Sequence, residues 1–267
     1  MLELEVLILI VNDSQFTPYA DVNELLEEIL LEVKNILKNN FVGMYLHGSL
    51  ALGDFGPIRS DIDYLVVTSN TISKDKISEL ESLHTCILLS DLQWKTNFEG
   101  SYIDKTALRR YDPTNSIHPV IRSDGSFGLD RHGDEWVIQR YIIREKGITL
   151  AGPKPKMLID HIASNDLRIA QKNTLRYWWA PQLEDAHRLN TSVYQAYAIL
   201  TMCRALFTMQ YGSVGSKKDA ACWAQEMFQE WSVLIEEAKD WQHGVNLDRI
   251  KESQEFIKFT IHKAQSC

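Results

Sequence analysis

Asp61 and Asp63 stand one residue apart in "SDIDYLVVT", residues 60–68. On a strand, residues i and i+2 project from one face, so the two carboxylates point together while Ile62 points the other way. Side by side they resist full ionisation unless a cation lies between them. Mg²⁺ suits them, because it takes oxygen ligands, often only one or two carboxylates, and completes its shell with water and substrate phosphates. Upstream, Gly48 and Ser49 close an apolar run and "LALGDF" opens a short helical turn. Glycine lets the backbone approach a ligand, N–H groups at a helix start suit phosphate, and the Ser49 hydroxyl adds a donor. Strand, Gly-Ser, short loop and Ser-Asp-x-Asp thus bring a phosphate cradle and a metal-holding pair to one end of a sheet. That arrangement fits a metal-bound nucleotide.

Several elements must position these groups. "DVNELLEEILLEVKNILK", residues 21–38, spaces Val22, Leu25, Leu26, Ile29, Leu30 and Val33 along one face and predicts an amphipathic helix. "FVGMYLHG" predicts a strand ending at Gly48, "DIDYLVVT" a second, "HTCILLSDL" a third and "NFEGSYID" a fourth. The polar, glycine-containing "SDGSFGLDRHGD" reads as a loop. From Glu135 the pattern turns helical, and "TLAGPKPKM", with Gly152, Pro153 and Pro155, is the linker candidate. Beyond it, residues 158–179, 190–211, 217–238 and 246–264 carry helical apolar spacing. The expected fold class is α+β, with a mixed sheet and flanking helices over residues 1–157 and an all-α helical bundle over 158–267.

A chain of 267 residues with 45% hydrophobic content can bury a sizeable core in two modest domains. Its 36 acidic against 28 basic residues, a formal charge of -8, argue against a long nucleic acid partner, whose binding rests on phosphate neutralisation. The same balance suits a cationic small molecule. Four cysteines, Cys86, Cys203, Cys222 and Cys267, form no CxxC pair and read as reduced packing residues of a cytoplasmic protein. The apolar opening "MLELEVLILIVN" lacks a basic leader and is too short to span a bilayer, so it reads as an edge strand or extension and no membrane partner is expected. None of the eight histidines has HxxxH spacing, and His47 reads as a strand-end side chain.

With these residues in hand, "YLHGSLALGDFGPIRSDIDYLVV" resembles the signature of the nucleotidyltransferase superfamily, Gly-Ser followed by Asp-x-Asp. A second patch, "AILTMCRALFTMQYGSVGSKKDAACWA", residues 198–224, is similar to the aminoglycoside adenylyltransferases that modify streptomycin and spectinomycin, which carry Leu-Thr-x-x-Arg and then Ser-Lys-x-x-Ala-Ala-x-Trp-Ala. "ITLAGP", residues 148–153, is a smaller echo. The resemblance implies a nucleotidyltransferase-type sheet domain and a helical domain that closes over nucleotide and substrate. It assigns Lys217 to the triphosphate, alongside Gly48 and Ser49. Two lysines in the first turn of a helix oppose its dipole, a conflict that a bound triphosphate relieves. The resemblance also assigns Glu99 in "FEGSYI" as the general base; spacing alone does not choose it over Glu81, Asp91 or Asp104.

The implied reaction uses ATP as co-substrate. Asp61 and Asp63 hold Mg²⁺ on its phosphates, Glu99 takes the acceptor hydroxyl's proton, and the oxygen attacks the α-phosphorus as pyrophosphate leaves. Where the drug-modifying relatives carry an acidic Gly-Asp-Glu segment, this chain has "TSVYQAY", residues 191–197. Glu184 and Asp185, or Asp134 and Glu135, are the acidic substitutes, and Trp178 and Trp179 offer an aromatic wall. The leading expectation is therefore AMP transfer to a hydroxyl of an aminoglycoside-type antibiotic. The alternatives are transfer to another hydroxyl, a protein tyrosine included, and a catalytically silent nucleotide-binding module.

Overall fold

The computed structural model describes residues 15–57, 60–242 and 244–265, so the edge strand expected at the N-terminus and the packing role expected of Cys267 lie outside the described residues. In chain order the regular elements begin α1 (Ala20–Leu37), β1 (Phe41–Leu46), α2 (Gly48–Leu52), β2 (Ile62–Thr68), α3 (Lys74–Leu89), β3 (Phe98–Asp104) and α4 (Lys105–Arg109). They continue with β4 (Ile117–Ile121), β5 (Phe127–Arg131), α5 (Glu135–Lys146), β6 (Ile148–Ala151) and α6 (Pro155–Leu158). The remainder is helical: α7 (Ser164–Thr174), α8 (Ser192–Tyr211), α9 (Lys217–Met227), α10 (Ser232–Asp240) and α11 (Ile250–Gln265).

Among the described residues, six strands form one mixed sheet in the order β5-β4-β3-β2-β1-β6. Only β2 and β3 run parallel; the other neighbours are antiparallel. Parallel neighbours need a crossover connection, usually a helix. That demand explains the largest departure from the sequence reading, because "HTCILLSDL" is no third strand but mostly the last turns of α3. Ser73 caps this helix by accepting the Lys76 N–H, and Leu80, His84 and Ile87 follow at helical spacing on its buried face. The expected loop "SDGSFGLDRHGD" contains β5, a short edge strand paired with β4 across a turn at Gly125 (φ +80°). Its composition matched a loop because so short an edge strand declares little: Phe127 packs on the core while Leu129, Asp130 and Arg131 are exposed. The linker candidate likewise begins as β6, which pairs with β1 before the chain turns at Gly152 (φ +96°).

Strand alternation distributes the core. Met44, Leu46, Ile62, Tyr64 and Val66 face α1 and α3, whereas Tyr45, Leu65, Val67 and Ile103 face α4 and α5. The helical half has its own core around α8, including Ile199, Met202 and Leu206, with Ala220 and Ala224 of α9 and Phe256 of α11. Between the halves, Ile138 and Ile142 of α5 pack on Leu167 and Ala170 of α7. Of the described cysteines only Cys203 packs inside; Cys86 and Cys222 are exposed, which corrects the reading of all four as packing residues. No helix among the described residues is long and apolar enough to cross a membrane.

Candidate active site

The parallel register sets Asp63 directly beside Glu99. Both carboxylates leave the sheet on one face, next to Gly48 at the start of α2, where the His47 N–H donates to the Asp63 carbonyl (3.0 Å). Gly48 adopts φ +57°, and a Cβ built there would lie 1.8 Å from Asp63 Oδ2. Glycine is therefore demanded twice, by backbone conformation and by the close carboxylate. Gly48→Ala is expected to destabilise the fold by about 1–3 kcal/mol and to displace Asp63, which a urea melt and a turnover assay on the same variant would detect.

The helical half completes the site. Ser216 caps α9 by accepting the Asp219 N–H (3.0 Å), and Lys217 enters the cleft from the first turn. Its Nζ lies 4.5 Å from the centre of the Tyr197 ring. Across the cleft, the Lys218 N–H donates to Asp54 Oδ2 (3.1 Å), so a carboxylate from the sheet side sits on the N-terminus of α9.

Electrostatics mark these groups. Burial, with Asp61 adding repulsion, pushes the Asp63 carboxyl up to about 6 against the opposing pull of Lys217 and Arg204. Glu99 rises to about 7, again mainly through burial and then through Asp63, while a hydrogen bond with Ser123 pulls it back. Lys217 falls to about 8 because burial and the neighbouring Arg204 outweigh the attraction of Asp63, Asp61 and Asp54. Crowded carboxylates of this kind gain from a divalent cation. No three His, Cys, Asp or Glu side chains converge as a metal cage among the described residues. Asp61 and Asp63 thus match an ion that takes most of its ligands from water and phosphate. Ser49 lines the same cavity, and its Oγ is buried without a hydrogen-bond partner among the described residues.

Two cavities meet at this point. One, of about 670 Å³, is lined by Gly48, Ser49, Asp61, Lys217 and Lys218; the other, of about 890 Å³, opens over Ser101, His132, Trp136 and Tyr177. Asp63, Glu99, Ser123, Gln139, Trp178, Tyr197 and Arg204 line both. The six residues singled out from the sequence, Gly48, Ser49, Asp61, Asp63, Glu99 and Lys217, all line the first cavity. Asp134, Glu135, Trp178 and Trp179 reach the second, whereas Glu184 and Asp185 are exposed and line neither. His47 is buried at the strand end, and burial lowers its imidazole to about 4, leaving it neutral.

Sequence reasoning gave no role to Arg204, Tyr197, Ser123 or Gln139. A signal for Arg204 was present, since it is a lone arginine among the buried Ile199, Met202, Cys203 and Leu206 of α8. Nothing local marks Ser123, which reaches Glu99 only through the β4–β5 turn.

Residues 26–106 match the family model of the nucleotidyltransferase domain. Residues 157–266 match that of the aminoglycoside adenylyltransferase, C-terminal domain. Among solved structures, the fold is similar to that of the spectinomycin adenyltransferase AAD(9) from Enterococcus faecialis, obtained with ATP and spectinomycin; the TM-score is 0.72 at 19% identity, covering 91% of this chain and 98% of that one. A toxin–antitoxin structure with AMP-PNP aligns over 59% of this chain and 90% of its own, with a TM-score of 0.27 and 17% identity. A search of curated proteins finds no match.

Proposed function

We propose, from the premise that this chain is a nucleotidyltransferase resembling the aminoglycoside adenylyltransferases, that it transfers AMP from ATP to a hydroxyl of an aminoglycoside-type antibiotic and releases pyrophosphate. The observation that carries this reading is the seam: Asp63 and Glu99, neighbours in register, line both cavities at once. A group transfer needs its two substrates to meet at such a place. AAD(9), whose fold this chain shares, was solved with both ATP and spectinomycin, which supports a nucleotide and an antibiotic as the pair. We assign residues 1–157 to the nucleotidyltransferase unit and 158–267 to the helical unit that supplies Lys217.

In this mechanism Asp61 and Asp63 are the residues that would hold Mg²⁺ for the ATP phosphates. The ion, when bound, neutralises phosphate charge and makes the α-phosphorus more electrophilic. Ser49 donates its hydroxyl to a phosphate oxygen, and Lys217 compensates charge on the β- and γ-phosphates. Glu99 accepts the proton of the acceptor hydroxyl, whose oxygen forms a bond to the α-phosphorus while the bond to the bridging oxygen of pyrophosphate breaks. A silent module has no need of a base beside the metal pair.

The pH profile follows from the signs. Glu99 must be ionised, so kcat/KM rises as it loses its proton near 7. Lys217 must be charged, so kcat/KM falls as it loses its proton near 8. A narrow bell between these values is expected, and an acidic limb well below 6 would sink the assignment of Glu99.

The deciding experiment is pyrophosphate release from Mg-ATP by the purified protein, with streptomycin, spectinomycin, other aminoglycosides and no acceptor. Drug-dependent release supports the reading. Tight Mg-ATP binding without release in any sample would retain the nucleotide site and reject the antibiotic acceptor.

A further inference from the structure

Of the carboxylates lining the nucleotide cavity, Asp61, Asp63 and Glu99 have a task in the transfer and Asp54 has none. Asp54 lies just past the end of α2, the short helix that begins with Gly48 and Ser49. Gly53 ends α2 in the left-handed region (φ +72°) and turns the chain, so that the Asp54 N–H donates back to the Ser49 carbonyl (2.9 Å). The Asp54 side chain reaches the other way and accepts the Lys218 N–H of α9 (3.1 Å), 164 residues along the chain. One residue therefore joins Ser49 to the first turn of α9. Apolar contacts follow the same path. Ala51 and Leu52 of α2 and Val214, in the loop before α9, pack against the cluster around Ile138 and Leu167 that lies between the two halves.

Helix α9 does not need Asp54 in order to start, because Ser216 already caps it through the Asp219 N–H. What Asp54 adds is attachment of that helix to the sheet half. Lys217 is the residue that gains. A lysine is a point charge on a flexible stem, so the placing of its backbone decides where the charge can go. Its Nζ sits 4.5 Å from the centre of the Tyr197 ring and is drawn by Asp63, Asp61 and Asp54 against the repulsion of Arg204. The bond at Lys218 fixes the backbone one residue away. A group held in place before its ligand arrives loses less freedom on binding.

We propose that Asp54 is a positioning residue, which fixes the first turn of α9 in register with the phosphate cradle so that Ser49 and Lys217 grip one triphosphate. This rests on the reading of the cleft as an ATP site and deepens it. Asp54 acts through Lys217, and the helical half is thereby set on the sheet half at the place where both touch the nucleotide.

The affinity of the whole chain for Mg-ATP, read by isothermal titration calorimetry, tests this without any acceptor. A negative charge near a triphosphate is itself unfavourable, so the comparison is between two uncharged replacements. Asp54→Asn keeps an oxygen that can accept the Lys218 N–H, and Asp54→Ala does not. Asp54→Asn is expected to bind Mg-ATP about tenfold more tightly than Asp54→Ala, the worth of one such bond. When both variants also carry Lys217→Ala, the gap is expected to close to within about twofold. Equal affinities for the two single variants overturn the proposal. So does a gap that persists without Lys217, since a merely structural contact would behave that way. Wild-type protein that binds no Mg-ATP would instead overturn the nucleotide reading on which it rests.

Discussion

Asp63→Asn is expected to lower kcat by about 10³-fold, since holding the metal on the phosphates is worth several kcal/mol of charge stabilisation and each 1.4 kcal/mol is a decade in rate. Pyrophosphate release under saturating Mg-ATP measures this. The same substitution is expected to stabilise the fold, and the sign can be worked out. Asp63 has a folded-state value near 6, above that of an unfolded aspartate near 3.9. The folded state therefore binds more protons between these values, and stability falls as pH rises through that window. The penalty is complete above about pH 6. Asn at this position removes it, so the variant melts higher than the wild type at pH 8 and loses that advantage by pH 4. An unchanged rate, or a variant less stable at pH 8, would contradict a crowded carboxylate reserved for a cation. Loss of activity with gain of stability is the expected signature of a site strained for function.

Glu99→Gln carries the second large effect. A positioned general base contributes about 10²–10⁴-fold, so kcat falls by that range while the KM for ATP stays nearly constant. The stronger check is the pH profile. If Glu99 is the base, the acidic limb near 7 vanishes in the variant, leaving only the fall near 8 that belongs to Lys217. A variant that keeps the acidic limb would move the base to another group. Gln retains the shape of Glu99 and the oxygen that Ser123 contacts, and like Asp63→Asn it removes a buried carboxylate held near 7, so a rate loss with a melting temperature that is raised above pH 7 and unchanged near pH 4 separates proton transfer from packing.

Much of this architecture was legible in the chain. The residues 21–38 pattern became α1 within a residue at either end, because an apolar stripe at helical period has one way to be buried. The strands carrying Asp63 and Glu99 were also readable, since these depend on neighbours close in sequence. Where the reading failed, distant partners decided. "HTCILLSDL" is rich in residues that suit either state, and only the parallel pairing of β2 with β3, which needs a crossover, makes it helical. β5 is similar: its place at the sheet edge is set by pairing with β4, and its five residues carry little alternation to announce it.

The same division runs through the site. Sequence alone determined that Asp61 and Asp63 share a face and that Gly48 and Ser49 precede them, because strand geometry fixes the first relation and chain order the second. Only the tertiary structure set Glu99 beside Asp63 and brought Lys217 and Arg204 to the same seam from far along the chain. It alone also shifted Asp63, Glu99 and Lys217 toward neutrality. Ionisation depends on burial and on charges across a few ångströms of space, and those distances exist only after the sheet and the helical half have packed together.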